Sequence, residues 1–223
     1  MSPSKSISVA GVDGWKANWI AILLVDGAFS EAVVVRDLAR FTHDFAELVI
    51  IGIDIPIGLP QSGVRACDAL ARTFIRPLSS SVFSAPPPDV MAQLDYTTAN
   101  ALSKEQHGRG ISKQAYGLKP KIDAVALLGD SRFREVHPEV SFRALSEQPL
   151  EANKKSWRGQ AHRRRLLEGA GIFLPDDPGD VGRAPADDIL DAAIAAWTAH
   201  RIATGKAECL PADPAPGEAV IWY

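Results

Sequence analysis

The chain has 223 residues, of which 46% are hydrophobic and 23% charged, with a net charge of −3. This is globular composition, with mass for one large domain or a domain with an insertion. The slight negative charge excludes a global basic field of the kind that attracts nucleic acid, although a local basic patch stays open.

Residues 7–37 read as three strands. The breaks fall at 14–18, GWKAN, and at 26–29, DGAF, where Asp26-Gly27 is a hairpin signal. A short helix follows over 38–49, with Leu38, Phe41, Phe45 and Leu48 near helical spacing. Residues 48–56 are then a strand. Its continuous apolar run suits a central parallel strand covered on both faces, and a right-handed crossover would lay it beside the first strand.

Residues 61–131 differ in kind. Three helical stretches, near 64–76, 89–103 and 112–128, surround the Ser- and Pro-rich run SSSVFSAPPPD, and the region reads as a helical insertion. Residues 132–139 form a strand ending in a charged cluster. A basic helix over 154–171 stops at Gly169 and Gly171. The last long helix starts just after Pro185, and the final six residues suit a short strand.

No apolar run approaches the roughly 20 residues of a membrane span. The first residues lack the apolar core of a signal peptide. Cys67 and Cys209 match no metal spacing and read as thiols of a reducing compartment. A cytoplasmic protein that does not meet the membrane is expected.

The carboxylates carry the chemistry. Parallel pairing of 7–13 with 49–54 puts Asp13 and Asp54 at neighbouring strand ends, about 4.8 Å apart. Two carboxylates that close repel each other, and burial raises the penalty. A hard divalent cation, Mg²⁺ or Mn²⁺, is the natural relief. The crevice beyond parallel strand ends is also where α/β proteins bind ligands. On the last helix, Asp188 and Asp191 are three apart and share a face; Asp187 and Asp191, four apart, also do. Acids in a first helical turn also favour the helix dipole, which accounts for Asp187 and Asp188 better than for Asp191. The alanines that follow let the helix lie close to a sheet.

These stretches resemble the domain-of-unknown-function family of predicted RNase H-like nucleases. The matching segments are GVDGW, IGIDIPIGLP, RACDALAR, SSVFSAP, KPKID, EVHPEVSF and ADDILDAAIAAW, which span most of the chain. DILDAAIAA is similar to the last motif of RuvC-type resolvases. The resemblance implies an α/β fold, an RNase H-like mixed five-stranded sheet flanked by helices, in a single domain carrying the insertion at about 61–131. It implies Asp13 in the first-strand position, Asp54 in the fourth-strand position, and Asp188 and Asp191 in the helix positions. It implies metal-dependent phosphodiester hydrolysis. Glu47 falls at a helix end and takes no role.

Strand alternation puts Glu135 and His137 on one face, as candidates either to position the groups that touch the ligand or to handle protons. The alternative is a helix opening at Pro138, with Glu139 in its first turn. Lys154, Lys155 and Arg163 on the basic helix, with Lys121 and Arg65, are phosphate-binding candidates; the plain alternative is a solvated helix face. Trp15, Trp19 and Trp157 read as packing residues. The expected partner is nucleic acid or a phosphoester. Two other functions remain: an ATP-dependent phosphotransferase of the actin-like branch, and a non-catalytic protein binding metal or nucleic acid. The absence of a P-loop and of a second phosphate hairpin weighs against the phosphotransferase.

Overall fold

A computed structural model describes residues 6–223. The reading of the N-terminus as leaderless falls partly on residues 1–5, outside the described residues. The chain opens with β1 (Ser8–Trp15), β2 (Asn18–Val25) and β3 (Ala28–Val35), an antiparallel meander. The β2–β3 turn uses Asp26 and Gly27, both at positive φ, as the hairpin signal requires. Helix α1 (Leu38–Asp44) is capped by Asp37, whose carboxylate accepts from Ala39 N and Arg40 N. Strand β4 (Ile50–Ile53) returns parallel to β1, with Val12 opposite Ile53.

Between β4 and the next strand lie α2 (Ala66–Phe74), a short α3 (Pro88–Met91), α4 (Tyr96–His107), α5 (Lys113–Gly117) and α6 (Lys119–Leu128). Strand β5 (Phe133–Glu135) then pairs parallel with β4. The sheet order is β3-β2-β1-β4-β5: mixed, five-stranded and flanked by helices. Helices α7 (Pro138–Ser146), α8 (Trp157–Gly169) and α9 (Ala186–Ala203) follow. The tail strand exists as β7 (Ile221–Trp222). It pairs with β6 (Cys209–Leu210) in a separate small sheet, and a bridge from Trp222 to Val136 ties it to the end of β5.

Two cores sandwich the sheet. Ala10, Val12, Ile51, Ile53 and Phe133 face Phe41 of α1 and Ile122 and Val125 of α6. Val9, Ile20, Ile22 and Leu24 face Phe142, Leu167 and Ile194 of α7, α8 and α9. Alternation along β1 therefore sends Val9, Gly11 and Asp13 toward α9. On β4 it sends Ile50, Gly52 and Asp54 the same way.

Gly11 and Gly52 decide how close α9 comes. A Cβ on Gly11 would stand 2.0 Å from Ala196 N, and one on Gly52 would stand 2.6 Å from Ala195 O. Two glycines on the strands and alanines on the helix remove the side chains that normally separate the layers. Among the described residues no helix is long and apolar enough to cross a membrane. Cys67 and Cys209 are both free.

Candidate carboxylate centre

The close approach of α9 assembles the acids. Asp54 N–H donates to Val12 O at 3.0 Å, so Asp13 and Asp54 are the next residues along paired strands. Asp13 Oδ1 accepts from Gly14 N at 2.6 Å. Asp191 lies on α9 one residue before Ala192, whose carbonyl faces Gly11. It is 1% exposed. Lys154 Nζ donates to Asp191 Oδ2, while Asp191 Oδ1 is buried with no hydrogen-bond partner. Asp187 and Asp188 line the mouth of the same cleft.

Electrostatics binds the group into one unit. Burial raises the Asp13 carboxyl well above its usual range, with repulsion from Asp54 and Asp191 adding to it. Burial pushes Asp54 up to about 7, against the pull of Lys154 and with the repulsion of Asp191. Asp191 is raised to about 6, burial outweighing its own pairing with Lys154. Asp188 is raised by burial and by its neighbour Asp187. Burial alone would disfavour the Lys154 ammonium, but Asp191, Asp54 and Asp13 outweigh it and hold the amine above its ordinary range. The centre is thus a set of desolvated carboxylates sharing one lysine.

Three other expected site residues are locked in buried ion pairs. Glu135 ends β5 and receives Arg65 through two contacts of 2.7 Å each. Its Oε2 also accepts from Ile57 N at 2.6 Å. Arg65 reaches Asp68 at 2.6 Å, and Asp68 in turn accepts from Ala85 N at 3.0 Å. Glu135 and Arg65 border the cleft with their charges matched to each other, which fits a positioning role for Glu135 better than proton handling and engages the Arg65 guanidinium within the protein.

Arg163 is corrected more sharply. It is 0% exposed. Its Nη2 grips both oxygens of Glu139 at 2.6 and 2.8 Å, and its Nη1 donates to Ala152 O at 3.1 Å. It cannot meet a substrate. Instead it fastens the backbone from which Lys154 and Lys155 project. Gly159 completes that turn, since a Cβ there would stand 2.0 Å from Asn153 O.

His137 does not continue the strand. It precedes Pro138 at the start of α7, the alternative that the sequence left open. Its Nε2 lies 3.3 Å from Ser81 O and its Nδ1 is buried without a partner. Burial drives its pKa down to about 4, so the imidazole is neutral near pH 7. Lys121 lines the cleft, with Nζ donating to Asn18 O at 2.6 Å and lying 3.8 Å from the Trp19 ring centroid. Burial lowers its pKa, with Asp13 opposing. Lys155 is exposed at the rim.

Asp68 is the participant that the sequence reading missed. Its signal was the three-residue spacing from Arg65, which caps α2 and reaches Asp68 in the first turn.

Among the described residues no group of three or more His, Cys, Asp or Glu side chains is already arranged to hold a metal ion. At Asp191 the cation present is the Lys154 ammonium. The chemistry of the donors nevertheless fits a hard dication. The ligands are carboxylates, they are desolvated and mutually repelling, and Asp191 Oδ1 is an orphaned buried acceptor.

The fold and site define an α/β protein with a carboxylate centre at the ends of parallel strands. The chain belongs to the family described as a protein of unknown function (DUF429), whose model matches residues 11–216. No curated protein and no solved structure matches the chain.

Proposed function

We propose that this chain is a metal-dependent hydrolase of phosphodiesters, of RNase H-like type. The observation that carries the reading is the convergence of Asp13 and Asp54 on one cleft with the start of α9, beside the buried Asp191, whose Oδ2 takes Lys154 and whose Oδ1 is unpartnered. The meander followed by two strands parallel to β1, with acids on β1, after β4 and on the last long helix, supports the RNase H-like assignment.

Asp13, Asp54 and Asp191 would hold Mg²⁺ or Mn²⁺, with Asp188 at the mouth of the cleft. Bound there, such an ion supplies Lewis-acid activation of water and of the phosphoryl oxygens. The chain's own residues do the rest. Gly14 N fixes the Asp13 carboxyl. Lys154 leaves Asp191 for the negative charge of the substrate, an exchange of one anionic partner for another. Lys121 and Lys155 meet that charge from the two sides of the cleft. His137 stays neutral near pH 7 and lines the cleft with its Nε2 against Ser81 O.

The experiment is hydrolysis of a generic phosphodiester and of an oligonucleotide panel, with ATP alongside, in Mg²⁺, Mn²⁺ or EDTA. Turnover that needs the metal and disappears in Asp13→Asn and Asp54→Asn is expected. Metal-dependent turnover that survives Asp54→Asn would remove the mechanism, and ATP turnover alone would favour a phosphotransferase.

A further inference from the structure

The geometry points to a small substrate: a free phosphodiester whose cleft-side group is no larger than a nucleotide, rather than a duplex or a long strand. The inference rests on the hydrolytic reading above and deepens it.

The cleft has a volume of about 440 Å³. That lies within the roughly 300–1,000 Å³ of small-molecule sites. Its floor is Asp13 and Asp54. One wall is Asn153–Lys155 with the start of α9; the other is α5 and α6, through Gln114 and Lys121. The segment from Ser80 to Pro86 overlies it, giving serine hydroxyls and the ring of Phe83. A mixed polar and aromatic roof suits a sugar and base better than a bare phosphate.

That roof is fastened to the floor. Ala85 N is held by Asp68, Asp68 by Arg65, and Arg65 by Glu135 at the end of β5. Every side chain in this chain of contacts is nearly inaccessible, with Arg65 6%, Asp68 1% and Glu135 6% exposed. Lifting the roof to admit a duplex would break the Ala85–Asp68 bond and take from the buried Asp68 carboxylate one of its hydrogen-bond donors. The width of the cleft is therefore set by the fold.

The charge outside the cleft agrees. A polymer is held by many phosphate contacts. Helix α8, the basic element that would track a backbone, has three of its four arginines in ion pairs, with Arg165 exposed outside them. Arg163 is paired with Glu139, Arg164 with Glu168 and Asp176, and Arg158 with Glu151. At the cleft itself stand Lys121, Lys154 and Lys155, enough for one or two phosphates.

The test is Mn²⁺-dependent kcat/KM on a dinucleotide, a blunt duplex and a circular single strand. The dinucleotide should exceed both polymers by about tenfold or more and show weak salt dependence. Lys155→Met, at an exposed position, should raise KM for the dinucleotide several-fold with kcat little changed. Ser84→Trp, which fills the roof, should block the dinucleotide in protein whose melting temperature is unaltered. Polymers cleaved as fast as the dinucleotide, or full dinucleotide activity in Ser84→Trp, would overturn the inference while leaving the hydrolase intact. Silence on every substrate would overturn both.

Discussion

Asp54 sits at the end of a buried strand because its partners are there, and its protonation exposes what that placement costs. The carboxyl is raised from 3.8 to about 7, so the folded state holds the proton more tightly than the unfolded chain. The stabilising contribution is full below pH 3.8 and is lost as pH rises through about 7. Asp191, raised to about 6, acts in the same direction. His137 acts in the opposite one: its contribution is present above 6.5 and is lost as pH falls toward 4. Asp54→Asn should accordingly gain on the wild type in metal-free melts between pH 5 and pH 8, by a few degrees at roughly 2–4 °C per kcal/mol. An equal loss at both pH values would instead make Asp54 a structural cap.

Glu135 gives the contrasting case. Its charge is matched by Arg65, so Glu135→Ala should cost about 3–5 kcal/mol of stability. The double variant with Arg65→Met should cost less than the sum of the two singles. Urea unfolding measures both. A stable Glu135→Ala that loses only activity would restore the proton-handling role.

At the level of elements, the pattern that places the centre was readable twice in the sequence. Gly11-Val12-Asp13 and Gly52-Ile53-Asp54 each put a glycine and an acid on one strand face, two residues apart. The glycine admits α9 and the acid meets what α9 brings. The three strands, the parallel return and the last helix were legible because their periodicities are long and their turns are marked by Asp26-Gly27 and Pro185. The end of β5 was not. Alternation carried the strand reading through His137, whereas Pro138 opens α7 and turns the chain. Nor was the fate of the α8 arginines legible, because Glu139 and Ala152, which engage Arg163, are distant in sequence and near only in the fold.

A substitution at the glycine tests this account of the packing. In Gly11→Ala the new methyl would fall 2.0 Å from Ala196 N and 2.1 Å from Ala192 O, both backbone. Backbone has no rotamer to move, so α9 must shift away from the sheet. The expected cost is about 1–3 kcal/mol or more. Loss of Mn²⁺ binding should accompany it, since Asp191 travels with the helix. Unchanged stability with Mn²⁺ binding retained would show that α9 does not set the geometry of the centre.

For the whole molecule the question is charge balance. The insertion, the sheet ends and α9 converge on one cleft, where Asp191, Asp54 and Asp13 all act on the Lys154 ammonium. In the metal-free protein that ammonium neutralises Asp191, and protonation relieves the rest. If a dication takes the same place, it must compete with Lys154 for Asp191 Oδ2. Removing the competitor has two opposite consequences. Metal-free Lys154→Met should be less stable than the wild type at pH 8, because a buried carboxylate loses its partner. The same variant should gain more from Mn²⁺, because a ligand stabilises the folded state by RT ln(1 + [L]/Kd) and its Kd no longer includes displacement of an ammonium. Thermal melts across a Mn²⁺ titration read both effects at once. A smaller Mn²⁺ gain in Lys154→Met than in the wild type would mean that Lys154 assists the ion instead of yielding to it. No Mn²⁺ shift in either protein would remove the metal from the centre and leave the lysine as its resident cation.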